Sequence, residues 1–222
     1  MSKIAKRTMK RSIKVEPCET EPISETVCET SGSAVAVAPK GFNVSFWPGR
    51  RLVLSCFNGQ ILIHVREYQT TDGKEYPTKK GACFTPGRLM ALHEKIESID
   101  EVLRQQEVNA SYNVTIGPTL YKAHLGAGIY VSVSERYPGV SLRRYWLPEG
   151  QEEPIPTRNG IYLPANQWAA LKIKLNELLT AFPGLAGAIV CSNSHGGNQM
   201  EFFGCRECAP FSQDVRYGER FG

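Results

Sequence analysis

The chain has 222 residues, 26 basic and 22 acidic side chains, a net charge of +4 and 41% hydrophobic residues. This apolar share is enough for a packed core and excludes a wholly disordered chain, and the length allows one or two small domains. No apolar run is long enough to cross a membrane, and the basic N-terminus lacks the apolar segment of a secretory signal. Seven scattered cysteines do not make a disulfide framework, which favours a reducing, intracellular compartment.

The first 40 residues have the composition of a disordered tail. Residues 1–14 hold six basic residues and no acid, and residues 15–40 hold five Glu against one Lys. Such a segment buries too little apolar surface to fold. Its basic start is typical of a nuclear import signal. The run Ile13-Lys14-Val15-Glu16 matches the apolar-Lys-x-Glu pattern of SUMO attachment, which makes Lys14 a candidate modification site, and chance occurrence is the alternative.

A first β-rich unit follows at residues 41–108. The runs 52–57 and 60–68 are joined by Asn58-Gly59, which predicts a hairpin because both turn positions need positive φ. Residues 79–84 are a third predicted strand. Thr85 then caps a helix with Pro86 at its first position, and an apolar stripe predicts that this helix runs to near Gln106.

A second unit at residues 116–184 repeats this order. Strands are predicted at 129–136, 141–146 and 159–164, with turns at 137–140 and 148–151, before a helix that ends ahead of Phe182. Gly81 and Gly160 occupy corresponding places, which gives a period near 79 residues. The fold class is therefore α+β, with two tandem units of antiparallel sheet followed by one amphipathic helix. Residues 185–222 form a separate C-terminal segment.

Charge and aromatic residues on the predicted strands favour binding of single-stranded nucleic acid. Residues 41–88 hold seven basic against three acidic residues, whereas 89–108 hold two against five. A cationic groove with exposed aromatic faces is what single strands require. Chance segregation of charge, and packing of strand aromatics in the core, are the alternatives. The candidates from this pattern are Phe57 and Tyr137 at hairpin turns, Trp146 beside Arg143 and Arg144, and Arg50 and Arg51 at either a groove mouth or a solvated turn.

The C-terminal segment contains four candidate metal ligands, Cys191, His195, Cys205 and Cys208. The Cys-x2-Cys pair has the spacing with which two thiolates grip one tetrahedral zinc ion. A segment this short and polar needs a metal to fold. Two interpretations remain open, a zinc knuckle and free thiols in a loose tail.

Three stretches resemble the positive cofactor four family of transcriptional coactivators. FNGQILIHVREY (57–68) is similar to the family hairpin, and GACFTPGRLMAL (81–92) and GIYLPANQWAAL (160–171) are similar to its strand-to-helix junction. YVSV (130–133) is similar to its first long strand. The resemblance implies a strongly curved four-stranded sheet followed by a helix, paired as a dimer whose sheets form channels for unpaired DNA.

The resemblance also implies which residues bind DNA. Basic residues of the family follow the phosphates and aromatic residues stack on bases. The matching positions here are Phe57, Arg66, Lys79 and Lys80 in the first repeat, and Tyr137, Arg143, Trp146 and Arg158 in the second. Departures from the family pattern include Gln69 in place of a Trp, Leu89 in place of the helix Trp, Tyr137 in place of the hairpin Phe and Asn159 in place of a Lys.

Together these observations predict a nuclear coactivator that binds single-stranded or unpaired DNA and regulates RNA polymerase II transcription. Its partners would be single-stranded DNA and the transcription machinery, with no membrane and no cofactor needed for DNA binding, and its two repeats would pair within one chain. No Ser-His-Asp, HExxH or phosphate-loop pattern is present, so no enzyme is predicted. The alternative is a protein-interaction module that kept the fold and lost DNA binding.

Overall fold

Two four-stranded antiparallel sheets, each followed by helices, account for most of the chain that the computed structural model describes, namely residues 41–111, 119–135 and 137–212. The strands of each sheet are neighbours in chain order, so both sheets are meanders. The predicted α+β fold class is confirmed. The predicted tail, with Lys14, lies outside the described residues.

The first sheet contains two tight turns with left-handed backbone at both central residues. Asn58 and Gly59 have φ of 48° and 75°, and Asp72 and Gly73 have φ of 52° and 72°. Positive φ at both positions gives a turn the twist that adjoining antiparallel strands require. The predicted Asn-Gly hairpin is therefore confirmed. The strands are β1 (Asn43–Trp47), β2 (Arg50–Phe57), β3 (Gln60–Thr71) and β4 (Lys74–Phe84).

The second sheet has the same order but corrects one prediction. The turn predicted at 137–140 is wrong, because these residues begin a strand in which Gly139 pairs with Pro164. A Cβ at Gly139 would collide with the carbonyl oxygen of Leu163, so this glycine permits the close approach of two strands. A first strand that the sequence did not predict precedes the others. The strands are β5 (Thr119–Gly126), β6 (Ile129–Ser134), β7 (Tyr137–Trp146) and β8 (Ile155–Pro164).

The helical region after the first sheet is interrupted, which corrects the prediction of one helix to Gln106. It consists of α1 (Pro86–His93), capped by the Thr85 side chain as predicted, and α2 (Ile96–Ser111). Between them, the Lys95 N–H donates to the Leu92 carbonyl at 3.0 Å. This i→i+3 bond tightens the backbone and ends the α-helical ladder. The apolar stripe continues on both sides of the break, which is why the pattern predicts a single helix.

Within the described residues, four helices follow the second sheet. The long helix α3 (Ala165–Ala181) ends before Phe182, as predicted. Three short helices complete the described C-terminal segment, namely α4 (Pro183–Ala186), α5 (Cys191–Ser194) and α6 (Gln199–Gly204). Helix α4 contacts α1 and α3, and its Leu185 is buried in the core. None of the helices in the described ranges has the length and hydropathy that a bilayer-spanning helix needs.

The same local pattern occurs at corresponding places in the two sheets. Arg66 pairs with Gly81 and Arg143 with Gly160, and the register shifts directly after each arginine. In each sheet the residue two positions beyond this arginine donates its backbone N–H at 2.7 Å to a glycine before the second strand. These bonds join Tyr68 to Gly49 and Tyr145 to Gly128. Gly81 and Gly160 are 79 residues apart, and so are Gly49 and Gly128, in agreement with the period in the sequence.

Helices of each repeat pack against the sheet of the other repeat. Helix α3 contacts β1 and β2, whereas α1 contacts β5 and α2 contacts β5, β6 and β7. Strands β4 and β8 also contact each other. The buried apolar side chains of both repeats form one connected cluster, which includes Ile63 and Leu92 from the first repeat and Leu142 and Trp168 from the second. Separating the repeats would expose apolar surface on both.

Candidate nucleic-acid interface

Each sheet has one apolar face against the core and an opposite, more polar face. In β3, Ile61, Ile63 and Val65 are buried, and the alternate residues lie on the opposite face. On the second sheet, the polar face forms an open groove of about 620 Å³. The residues that line this groove include several with hydroxyl groups and one with a guanidinium, namely Thr119, Ser132, Ser134, Ser141, Tyr162 and Arg143. Such a surface offers donors to an anionic or hydroxyl-rich ligand.

The two predicted hairpin arginines are held by the same type of backbone contact. Arg66 Nη1 donates to the Thr78 carbonyl at 3.1 Å, and Arg143 Nη1 donates to the Thr157 carbonyl at 2.8 Å. Both arginines are partly exposed. A guanidinium carries five N–H donors, so each arginine can keep this contact and still donate to a phosphate.

The predicted basic residues of β4 and β8 lie on exposed parts of these strands. Lys79 and Arg158 are exposed, as is Lys80, whose Nζ lies 3.0 Å from Glu67 Oε1. Arg144, in β7, is exposed as well. With the 79-residue period, Arg158 is the residue of the second repeat that corresponds to Lys79, and the neutral Asn159 corresponds to Lys80. The second repeat therefore has one cation fewer at this position.

Arg50 and Arg51 are engaged by groups of the chain itself. Arg50 Nη1 donates to the Tyr162 carbonyl of the second repeat at 2.5 Å, and its Nη2 lies 3.7 Å from Glu67 Oε2. Burial lowers the pKa of the Arg50 guanidinium, while Glu67 acts in the opposite direction. Arg51 forms an ion pair with Glu75 and donates through Nε to Asn43 Oδ1 at 2.8 Å. Arg50 is thus a contact between the repeats.

Two of the predicted aromatic residues present large exposed surfaces. Phe57, at the end of β2, is 57% exposed, and Trp146, at the end of β7, is 50% exposed. Tyr137 begins β7, but its side chain lies outside the described residues. Exposed aromatic rings at strand ends are available for stacking with bases.

Sequence reasoning missed one exposed aromatic residue, Tyr76. It is 48% exposed and pairs across the strands with Gln69. In the second repeat, Trp146 pairs with Ile155 at the corresponding place. Each β-hairpin therefore has one aromatic ring at this level, but on opposite strands. The sequence does contain a signal for Tyr76. The Asp72-Gly73 turn sets its pairing with Gln69, and the 79-residue period makes Tyr76 equivalent to Ile155, the partner of Trp146.

His64 also lies on the polar face of the first sheet but is buried, with 5% of its surface exposed. Its Nε2 lies 2.8 Å from Ser55 Oγ. Burial, and secondarily the charge of Arg66, lowers the pKa of the imidazole to about 4. The ring is therefore neutral at neutral pH and adds no positive charge to this face.

The four predicted metal ligands come together in the C-terminal segment. Cys191 Sγ lies 3.7 Å from Cys205 Sγ and 3.8 Å from His195 Nε2. Cys208 Sγ lies 3.3 Å from the same nitrogen, and all four ligand atoms lie within 4.8 Å of one another. Three sulfur atoms and one imidazole nitrogen in this arrangement can hold a metal ion.

The thiols of this cluster have unequal pKa values. Burial raises the pKa of Cys191, and burial together with the neighbouring Cys191 raises the pKa of Cys208 to about 12. Burial acts in the same direction at Cys205, but the backbone N–H groups of Cys208 and Glu207 hydrogen-bond to its sulfur and bring the pKa to about 7. Donated hydrogen bonds stabilise the thiolate, which is the form that binds metals.

Comparison with known proteins identifies the class of the first repeat. Residues 48–95 match the family model described as Transcriptional Coactivator p15 (PC4). This match runs from the turn before β2 to the break between α1 and α2, and it agrees with the family resemblance that the motifs of this repeat predict. The RNA polymerase II transcriptional coactivator KELP of Arabidopsis thaliana is 33% identical over 58 residues, which are 26% of this chain and 35% of that protein. The matched region thus spans about a third of the length of this curated relative.

Proposed function

We propose that this protein is a nuclear transcriptional coactivator that binds single-stranded or unpaired DNA and regulates transcription by RNA polymerase II. The observation that carries the proposal is the pair Arg66 and Arg143, held alike on the polar faces of two sheets, with a PC4-family domain around the first. The protein performs no chemistry in this role, and DNA binding needs no cofactor. Proteins of the transcription machinery are its other partners.

The basic residues on the strands follow the DNA backbone. Phosphate contacts from side chains fix a nucleic acid in place without reading its sequence. Five cations on exposed or partly exposed strand positions suit this role, namely Arg66, Lys79, Lys80, Arg143 and Arg158. Helix α2, by contrast, exposes Glu97, Glu101 and Glu107. A strand of DNA is therefore attracted to the sheets and repelled from this helix.

Aromatic rings at the strand ends stack on the bases. Phe57 and Trp146 supply exposed ring faces, and Tyr137 occupies the start of β7. Arg144, next but one to Trp146 in sequence, supports binding through its charge. Every base has a ring face, so this contact is tolerant of sequence, and duplex DNA binds more weakly because pairing hides those faces.

Two coactivator-like domains, residues 41–108 and 116–184, pair within one chain. Packing of the helices of each repeat on the sheet of the other supports this pairing, and so do polar contacts between the repeats. Gln106 Nε2 in α2 donates to the carbonyls of Ser134 and Glu135 at 3.0 and 2.7 Å. A short tether gives the second domain an effective concentration of about millimolar, so light scattering at micromolar concentration should report the mass of one chain. A stable dimer paired between chains would contradict this arrangement.

A protein-interaction module is the second candidate function. The internal engagement of Arg50, Arg51 and Lys80 by acidic or carbonyl groups favours it, because these cations are then less available to phosphates. Exposed apolar residues near the C-terminus, such as Ile189 and Met200 at 71% and 76% exposure, favour it as well. In that case the sheets serve pairing alone and the C-terminal segment docks a partner.

A salt titration of oligonucleotide binding separates the two candidates. The full chain is titrated against a fluorescent single strand and against a duplex of the same sequence. If five phosphates are neutralised, log affinity for the single strand falls with log salt at a slope of about −3.5, from about −0.7 per phosphate. The duplex should bind more weakly at every salt concentration. Equal affinity for the two, or no binding at low salt, would favour the protein-interaction candidate.

A further inference from the structure

Three of the distances within the Cys/His cluster are close to those of a tetrahedral zinc site. With Zn–S bonds of about 2.3 Å, two ligating sulfurs lie about 3.7 Å apart, because a tetrahedron's edge is about 1.6 times its centre-to-corner distance. The separation between Cys191 Sγ and Cys205 Sγ is 3.7 Å. The same geometry sets a sulfur and a nitrogen about 3.5 Å apart, and the distances from His195 Nε2 to the sulfurs of Cys208 and Cys191 are 3.3 and 3.8 Å.

A carboxylate lies near the imidazole of the cluster. The free ring nitrogen of His195, Nδ1, lies 3.8 Å from Glu201 Oε2, and Asn198 Nδ2 donates to Glu201 Oε1 at 2.9 Å. A carboxylate behind a metal-binding imidazole favours the tautomer that presents the other nitrogen. Gly196 and Gly197, with φ of 55° and 84°, reverse the chain directly after His195.

The loop between the last two ligands joins the two repeats. Glu207, between Cys205 and Cys208, accepts two hydrogen bonds of 2.5 Å from Arg88 in α1, one at each carboxylate oxygen. The Glu207 backbone carbonyl accepts from the Ala127 N–H at 2.8 Å, in the turn between β5 and β6. One residue of the cluster loop thus contacts the helix of the first repeat and the sheet of the second.

Glycines leave room for the C-terminal segment on both repeats. A Cβ at Gly126 in β5 would collide with the Glu207 carboxylate. A Cβ at Gly87 in α1 would lie 2.8 Å from the Ile189 carbonyl oxygen, closer than such contacts allow. The segment before and within the cluster is therefore fitted closely against both repeats.

We propose that Cys191, His195, Cys205 and Cys208 bind one zinc ion, and that this ion holds Glu207 as a clasp between α1 and the β5–β6 turn. Without the metal, the cluster loop is short and polar and its thiols crowd one another, so only the contacts to Arg88 and Ala127 hold Glu207 in place. With zinc bound, the loop becomes rigid and the contacts to Arg88 and Ala127 persist. The inference concerns pairing of the repeats and does not rest on DNA binding.

The test measures metal content and amide hydrogen exchange on the full chain. Protein purified without chelator should hold about one zinc per chain, and Cys205→Ser with Cys208→Ser should hold none. Chelation under reducing conditions, or the double substitution, should speed exchange at the Ala127 amide and along α1 by about tenfold or more, because the clasp opens. Exchange at the far end of the β3–β4 hairpin, next to the Asp72-Gly73 turn, should not change.

Two further variants keep the inference open to refutation if the double variant does not fold. Glu207→Ala should retain the zinc and speed exchange in α1, because the carboxylate contacts to Arg88 are lost. Exchange at Ala127 should stay slow in this variant, because its N–H donates to the backbone carbonyl of residue 207, which alanine keeps. Cys83→Ser, which removes a thiol of β4 outside the cluster, should retain both the zinc and the slow exchange. A zinc content near zero in the native chain, exchange at Ala127 and α1 that is unchanged by chelation, or exchange in α1 that is unchanged by Glu207→Ala, would overturn the proposal.

Discussion

Asp100 in α2 accepts a hydrogen bond from the indole nitrogen of Trp168 in α3, with Nε1 and Oδ1 2.8 Å apart. The same carboxylate forms an ion pair with Lys172, one helical turn further along α3. Trp168 is 1% exposed, so its N–H needs a partner inside the fold. The residue of the first repeat that corresponds to Trp168 is Leu89. Leucine has no N–H in its side chain, so it cannot form the equivalent hydrogen bond.

A double-mutant cycle on Trp168 and Asp100 should detect this contact. Trp168→Phe should lower the free energy of unfolding by about 1–3 kcal/mol through lost volume and the lost hydrogen bond. The coupling energy with Asp100→Ala should be about 0.5–1.5 kcal/mol, measured by urea denaturation. Lys174→Ala, which removes an ion pair on the exposed face of α3, is the control and should change stability by less than about 0.5 kcal/mol. A coupling energy near zero would contradict the contact.

Alanine at either of the two equivalent strand glycines should destabilise the protein. A Cβ at Gly160 would lie 2.6 Å from the Leu142 carbonyl oxygen, and one at Gly81 would lie 2.9 Å from that of Val65. Both obstacles are backbone, so we expect each substitution to cost about 2–4 kcal/mol in thermal or urea unfolding. Gly184→Ala, where a Cβ meets nothing within 4 Å, should be nearly neutral. A Gly160→Ala variant as stable as the native chain would contradict this prediction, because β7 and β8 could then move apart to accommodate the added Cβ without a cost in free energy.

Stability should fall in mild acid because of His64. Its pKa is about 4 in the folded protein and 6.5 when unperturbed. Between these values the unfolded chain binds a proton that the folded chain does not, so the free energy of unfolding decreases as the pH falls from 6.5 to about 4. The loss attributable to this group is up to about 3 kcal/mol. His64→Gln should flatten the pH dependence of the urea midpoint, whereas His93→Gln, at an exposed end of α1, should not. An unchanged slope in His64→Gln would exclude this residue as the cause.

The phosphate contacts should be visible in the salt dependence of binding. Lys79→Ala with Lys80→Ala should make the slope of log affinity against log salt less steep by about 1–1.5, because two fewer counterions are displaced from the strand. The matched control, Arg104→Ala with Lys174→Ala, removes two cations from the helices and should leave the slope within error. Equal slopes in the two double variants would remove β4 from the proposed interface.

The stacking contact should behave differently from the phosphate contacts. Trp146→Ala should weaken binding of single strands by about 1–3 kcal/mol and leave the salt slope nearly unchanged, because stacking displaces no counterions. Phe203→Ala, which removes an aromatic residue of 49% exposure from α6, is the control and should bind like the native chain. Native affinity in Trp146→Ala would favour the protein-interaction candidate.

The features predictable from the sequence are those determined by nearby residues. Asn58-Gly59 predicts its hairpin because the turn requires both residues to have positive φ. The Cys-x2-Cys spacing likewise predicts the cluster, because metal ligands in a short loop are close by covalent connection. The turn expected at 137–140 is wrong because Pro138 and Gly139 are typical of turns, whereas Gly139 is required here by the backbone of β8. Contacts such as that of Arg50 with Tyr162, which are 112 residues apart, depend on how the repeats meet.

Helices of each repeat pack on the sheet of the other repeat, and the two repeats have different sequences. In a dimer of identical chains, every substitution falls on both halves and the interface must complement itself. Here a substitution changes one half only, and the two have diverged, with Gln69 in one where the other has Trp146. A linear ligand that crosses both sheets thus meets a surface without two-fold symmetry. If single-stranded DNA binds across both sheets as proposed, its two orientations, 5′ end first or 3′ end first, differ in energy, and one strand polarity should be preferred.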